Sequence, residues 1–264
     1  MAIYGHSEQK LVQQNPIYDR SDCKNIIFES LDADSRRRLE RHVQTMKAKL
    51  GDVIAEAHEP FEYVYFPKSA ILTLSTVLER GSAIETGNIG NEGLFGFAGI
   101  YSKITYCHCH VLLEGTIFRI PVEVLREEFE RSETLRRVLM NYLSMRLAQM
   151  QQTLACNTVH TVYERLCRWL LIMPDCAESE HLPFTHETLS HALGVDRKSV
   201  TLAAQGLQMA GLISYSRGKI QIQDRPGLES SVCECYGVIN ELRQQFFALY
   251  SKQAPRRLTS PICT

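Results

Sequence analysis

Arg197, Lys198, Ser199, Thr201 and Gln205 are the side chains in this sequence best placed to do chemistry. They fall, with Gln208, on the polar side of a short helical stretch. Its other side carries Val200, Ala203, Ala204 and Leu207 at i, i+3, i+4 and i+7, the spacing of a buried stripe. Arginine donates two bonds to guanine, glutamine pairs with adenine, and a serine or threonine hydroxyl reaches a base or a phosphate. Just downstream, Ile213 to Ile222 alternates around a turn at Arg217-Gly218. That pattern is a β-hairpin with Arg217 and Lys219 near its tip, suited to phosphates. Upstream, Thr185 caps a helix with Leu189, Ala192 and Leu193 on one face, Gly194 supplies the left-handed residue that ends it, and Asp196 caps the next helix. Two short helices joined by a tight glycine turn and followed by a wing form a helix-turn-helix, whose second helix enters a DNA major groove. Between Thr185 and Arg225 the bases exceed the acids by two, in a chain whose net charge is -1. A module serving only protein contact would present apolar anchors on its open face; polar donors stand there instead.

Cys107-His108-Cys109-His110 also offers ligand chemistry. On a strand, residues two apart share a face, so the thiols fall on one side and the imidazoles on the other, and one metal does not collect all four. Cys233-Glu234-Cys235 reads as part of a helix, where i and i+2 point apart. Neither group is expected to hold a metal, and small apolar cysteines in a core are the plainer reading. His160, His186 and His191 lie in or beside the DNA-binding half, in capping, packing or phosphate-contact roles. Glycines between 87 and 99 lack the Gly-x-Gly-x-x-Gly spacing and following helix of a dinucleotide site. No Ser/His/Asp or Cys/His arrangement has the context of a catalyst, so no enzyme and no cofactor are expected.

These groups must be positioned by a chain of 264 residues, 44 % hydrophobic and 22 % charged, enough for one large or two ordinary domains. No apolar run approaches the roughly 18 residues of a membrane span. The first residues show neither basic flank nor apolar segment, and nine cysteines have no disulfide-framework spacing. A cytoplasmic protein with reduced thiols is expected. Three textures follow one another. Asn25 to Leu50 reads as helical. Tyr63 to Pro121 breaks into short β-rich runs (Tyr63–Phe66, Ile71–Leu78, Ser82–Ile89, Tyr106–Leu113 and Thr116–Ile120). Strands so short and so frequent predict a small antiparallel roll. From Val122 to about Leu171 there is no glycine or proline, which predicts a long helix with at most one break; Pro174 to Pro183 reads as a linker, Leu228 to Leu249 as a last helix, and the residues from Pro255 as a tail.

Met140, Leu143, Leu147, Met150 and Leu154 are spaced 3, 4, 3 and 4 apart, the seam of a two-stranded coiled coil, with Arg146 and Gln149 beside it. A second stripe, Leu135, Val138, Leu139 and Tyr142, is placed to pack back onto the roll. A homodimer also suits double-stranded DNA, because half-sites about 34 Å apart need two recognition helices.

The segment LSHALGVDRKSVTLAAQGLQMAGLISYSRGKIQIQDRPGLE resembles the DNA-binding end of the Crp/Fnr family of bacterial transcription regulators. YFPKSAILTLSTVLERGSAIETGNIGNEGLFG resembles that family's cyclic-nucleotide-binding-type roll, and CNTVHTVYERLCRWLL its stretch joining the long helix to the DNA-binding domain. The resemblance covers roughly Asn25 to Leu228 in the family's order. It implies an α+β fold with an N-terminal antiparallel β-roll sensor (20–121), a long dimerisation helix (122–158) and a C-terminal winged helix-turn-helix domain (159–250). It also implies a homodimer on near-palindromic promoter sites, with RNA polymerase as a further partner. The family's cyclic-nucleotide pocket uses a Gly-Glu pair and an Arg-Ser/Thr pair; here Thr105-Tyr106 stands where the latter belongs, and Glu92 sits in Gly90-Asn-Glu-Gly93, out of register. A buried phosphate without arginine would leave a charge unpaired, so tight cyclic AMP binding is not expected, with Lys103 as the one substitute counter-charge. Only Cys23 lies where the oxygen-sensing branch carries an iron–sulfur cysteine cluster. Arg197-Lys198 replaces a frequent Arg-Glu, and Leu202 a later arginine, so the target sequence is expected to differ. Two other readings stand beside this one: a regulator that still answers to cyclic nucleotide, and a metal or thiol redox switch using Cys107 and Cys109.

Overall fold

The computed structural model describes residues 24–250 except 80, 82, 178–180 and 217. Cys23, Arg217 and the tail from Pro255 lie outside the described residues. Two short helices, α1 (Ile26–Glu29) and α2 (Ala33–Glu40), open the chain. Asn25 and Asp32 cap them, and the Asn25 amide also donates to the carbonyls of Pro67 and Gly93, at 2.9 and 2.7 Å, pinning α1 to the roll. The helical expectation for Asn25 to Leu50 holds only to Glu40. Met46 lies instead in β1 (Gln44–Ala48), which pairs with the last roll strand in the register Met46↔Ile117; the backbone bonds of that ladder outweigh a helical repeat with only one turn left to bury.

The roll continues through β2 (Val53–Ala55), β3 (Tyr63–Pro67), β4 (Ile71–Val77), β5 (Ala83–Ile89), β6 (His108–Leu113) and β7 (Gly115–Pro121). All pairs are antiparallel, in the orders β1-β7-β3 and β2-β6-β4-β5. Leu72, Ile89, Phe95, Cys109, Val111 and Ile117 fill the space inside.

The glycine-free run divides twice rather than once, into α3 (Val122–Arg131), α4 (Glu133–Val159) and α5 (Val162–Ala177). Ser132 ends α3 and caps α4 by accepting from the Leu135 N–H at 3.1 Å. Thr161 and Glu164 form a reciprocal capping box: the Glu164 carboxylate accepts from the Thr161 N–H at 2.8 Å, and the Thr161 hydroxyl accepts from the Glu164 N–H at 3.3 Å. That T-x-x-E signal sits in the sequence and marks the second break. Leu135, Val138, Leu139 and Tyr142 pack onto the roll as their stripe predicts. Pro174 does not begin a linker: α5 runs through it to Ala177, because Leu166, Leu170 and Met173 hold that helix in the core.

A second core gathers α5 with α6 (His186–Leu193), α7 (Arg197–Met209), and a small sheet of β8 (His181–Leu182), β10 (Lys219–Ile222) and β9 (Ile213–Ser216). The predicted last helix is two: α8 (Arg225–Ser230) and α9 (Cys235–Tyr250), separated at Ser231 to Glu234. Helix α9 returns along α4, and its Phe246 joins the core between α4 and the roll. The two halves meet where Trp169 of α5 donates to the Glu85 carboxylate of β5 at 3.1 Å. Among the described residues no helix is long and apolar enough to cross a membrane.

Candidate nucleic-acid interface

Helix α6 starts at Thr185, whose hydroxyl accepts from the Thr188 N–H at 3.1 Å, and ends at Gly194 with φ +61°. That left-handed conformation, with the Ile84 side chain 3.3 Å from where a Cβ would stand, is why glycine occupies the turn. Buried Arg165 of α5 donates to the Leu193 carbonyl and satisfies the same helix end. Asp196 caps α7 through the Ser199 N–H at 3.0 Å and also accepts from the Ser199 hydroxyl at 2.7 Å. The Ser199 hydroxyl, then its N–H, hold the Asp196 carboxyl below its ordinary value. Val200, Ala203, Ala204 and Leu207 are buried as expected.

The predicted contact residues separate into two groups. Arg197, Lys198 and Gln205 are exposed along α7, and Lys219 is exposed at the start of β10. Ser199 and Thr201 are only half-exposed. The Ser199 hydroxyl serves the cap, while the Thr201 hydroxyl donates to the Arg197 carbonyl at 2.9 Å and lies 3.0 Å from His186 Nδ1. His186 stacks on Tyr215 of the wing with ring centroids 4.3 Å apart, so one imidazole joins α6, α7 and β9. Burial, then Arg197, holds that imidazole below its ordinary value.

Sequence reasoning passed over Leu202 as a contact. It is 61 % exposed and shares a helical row with Lys198, Gln205 and Met209. The i, i+4, i+7 spacing from Lys198 carried that signal, and an apolar side chain there suits a thymine methyl. Arg225 drops out of the local positive balance: it pairs with Asp175 at 2.7 Å and Glu229 at 2.9 Å, holding α8 to α5.

In the roll, Thr105 is buried and donates to the Cys107 carbonyl at 3.1 Å, while Tyr106 and Lys103 are exposed. Glu92 is buried and accepts from the Gly90 N–H at 3.1 Å, bracing its own loop. A cleft between β5 and α4–α5 is lined by Glu85, Glu92, Arg146, Arg168 and Trp169. Its Arg146 comes from α4 and donates to the Asn88 carbonyl at 2.8 Å.

Cys107 and Cys109 lie on the first half of β6 or beside it, with Cys109 fully buried, and burial pushes both thiols up. His108 is paired with Glu56, and the His108 and His110 rings stand 6.3 Å apart. The reading of Cys233-Glu234-Cys235 as helix interior is corrected: Cys233 precedes α9 and Cys235 is its first residue. Since the turn before α9 is not helical, the two side chains are not forced apart.

A capped helix pair with a wing, joined by a long helix to an antiparallel roll, is the architecture of a two-part DNA-binding transcription regulator. Residues 164–231 match the Crp-like helix-turn-helix domain. The chain is 22 % identical over 191 residues to the global nitrogen regulator of Synechococcus elongatus, covering 68 % of this chain and 86 % of that protein. It is 28 % identical over 200 residues to the transcriptional regulator SdrP of Thermus thermophilus, covering 70 % and 93 %. The structure of FixK2 from Bradyrhizobium japonicum has the same fold, with TM-score 0.64 at 16 % identity over 72 % of this chain and 98 % of that one. Residues 164–231 thus carry a Crp-like helix-turn-helix domain, and these likenesses support a transcription regulator of the Crp/Fnr type.

Proposed function

We propose that this regulator acts as a cytoplasmic homodimer, is not an enzyme, and binds near-palindromic promoter sites through α7, working with RNA polymerase. The single observation that carries the reading is the open face of α7: Arg197, Lys198, Leu202 and Gln205 stand exposed on a helix capped at Asp196 and braced by His186. In this reading Arg197, Lys198 and Gln205 meet base edges, Leu202 a thymine methyl, and Ser199 and Thr201 set the start of the helix. Lys219, and Arg217 beside it in sequence, meet phosphates. The exposed apolar row of α4, from Met140 to Leu154, supplies the dimer seam. Tight cyclic AMP binding is not part of the reading, since exposed Lys103 and buried Thr105 leave the expected phosphate position of the roll without an arginine.

The test begins with DNA fragments selected from a random pool at fixed salt. Arg197→Ala is expected to cost about 1–3 kcal/mol on the selected site and relax one base preference, whereas Lys219→Ala weakens selected and random DNA alike. Equal losses on both DNAs for both variants would overturn the assignment. Micromolar heat on titrating cyclic AMP would overturn the nucleotide-independent part.

A further inference from the structure

Cys156 lies in the last turn of α4 and His160 is the residue that caps its end, its N–H donating to the Cys156 carbonyl; the fold brings Cys233 and Cys235 against them from the start of α9. The ligand atoms of all four residues lie within 4.8 Å of one another, and the three cysteines are buried. Cys156 Sγ stands 3.7 Å from Cys233 Sγ, and Cys235 Sγ stands 3.6 Å from His160 Nδ1. A tetrahedral zinc with Zn–S of about 2.3 Å and Zn–N of about 2.05 Å has S···S edges of about 3.8 Å and S···N edges of about 3.6 Å. A disulfide would need its sulfurs at about 2.05 Å. We infer that Cys156, His160, Cys233 and Cys235 form a closed tetrahedral site for a thiophilic divalent cation of the zinc type, tying the end of α4 to the start of α9.

The surroundings support the ligand set independently. His160 turns its other nitrogen, Nε2, to the Glu234 carboxylate at 3.2 Å, the carboxylate–histidine arrangement that fixes tautomer and ring orientation at metal sites. Gln152 donates to Cys235 Sγ at 3.1 Å. Three thiolates around a divalent ion leave one negative charge, and the buried guanidiniums of Arg165 and Arg168 both act on Cys156 in the sense that balances it. The N-terminus of α9 adds its partial positive charge beside Cys235. Four protein ligands leave no open position, the mark of a structural rather than a catalytic site.

The test uses full-length protein, reduced and freed of metal with a chelator. Zn²⁺ is titrated against a chromophoric chelator, and Co²⁺ is added alone to a second sample. Uptake of one ion per protomer is expected, with thiolate-to-cobalt charge transfer and intense tetrahedral d–d absorption. Zinc should protect Cys156, Cys233 and Cys235 from alkylation while leaving Cys107 as reactive as before. Cys235→Ser should weaken zinc binding at least tenfold, Glu234→Gln about 10–100-fold, and Cys107→Ser not at all. No uptake of either ion, uptake unchanged by Cys235→Ser, or uptake lost in Cys107→Ser would each overturn the site. Should Cys235→Ser fail to fold, the alkylation map of the unaltered chain decides alone: protection of the three cysteines supports the site, and equal reactivity with and without zinc overturns it.

Discussion

His186 shows how much a single side chain off the exposed face of α7 contributes to the helix-turn-helix. It stacks on Tyr215, lies against the Thr201 hydroxyl, and is held below an ordinary imidazole pKa by burial and by Arg197. The unfolded chain takes up its proton near 6.5, the folded one only at lower pH. Below 6.5 the unfolded state therefore binds more protons, and stability falls as pH falls. Melting followed from about pH 7.5 to 5.5 should show that decline, and His186→Gln should flatten it. Buried His110 acts in the same direction in both proteins and cancels in the comparison. An equal slope in the variant would remove His186 from the account. The polar types along α7 were readable from the sequence. That Ser199 and Thr201 direct their hydroxyls to a cap and to His186 was not, because helical spacing ranks residues by face and does not say which hydrogen bonds a hydroxyl near the edge of that face finds.

At the scale of elements, α4 carries two apolar stripes with different fates. One is buried against the roll, while Met140, Leu147, Met150 and Leu154 of the other remain between 43 % and 70 % exposed. Leu143 is half-buried and touches both environments. An apolar row of that length on one helix calls for a partner surface, and a second copy presents the matching heptad. In the proposed homodimer, the double variant Leu147→Glu, Leu154→Glu should raise the dissociation constant at least about tenfold and lower affinity for a two-half-site fragment. Monomer stability should change little, because neither side chain is buried. Sedimentation at several concentrations reads the first effect; an unchanged dimer would place the seam elsewhere. Both stripes were legible because a 27-residue helix repeats its pattern many times. Strand β1, five residues long, offers too few alternations to oppose a helical reading, and only its pairing with β7 makes it a strand.

Across the whole molecule, the roll and the helix-turn-helix half meet at Glu85. Its carboxylate accepts from Trp169 Nε1 at 3.1 Å, Asn88 Nδ2 at 2.8 Å and Thr73 Oγ1 at 3.1 Å, yet burial still pushes its pKa above the ordinary value. The folded state thus binds the proton more tightly than the unfolded one, and this group's contribution, complete below the unfolded value, is lost as pH rises through the folded one. Glu85→Gln keeps an acceptor for Trp169 and Asn88, turns a donor toward Thr73, and removes the buried charge. It should melt higher than the unaltered protein at pH 7 to 8, a gain that shrinks toward pH 5. Trp169 is the chain's single tryptophan, so its emission should stay that of a buried indole in Glu85→Gln and shift to the red in Glu85→Ala. A lower melting point for the glutamine variant at neutral pH would contradict the charge argument.

What the amino-acid order determined by itself is whatever repeats or is punctuated locally. The stripe of α7, the glycine at 194, the cap at 196, the wing and the heptads of α4 are each set by neighbours within a few turns, where covalent geometry and hydrogen-bond needs leave few choices. The tertiary structure alone decided what depends on contacts between distant segments. It withdrew Arg225 from the open surface, passed α5 through Pro174, and folded α9 back along α4. It also set Cys156 beside Cys233, 77 residues away, a meeting that no spacing rule encodes because loop closure over such a span is fixed by the packing of everything between.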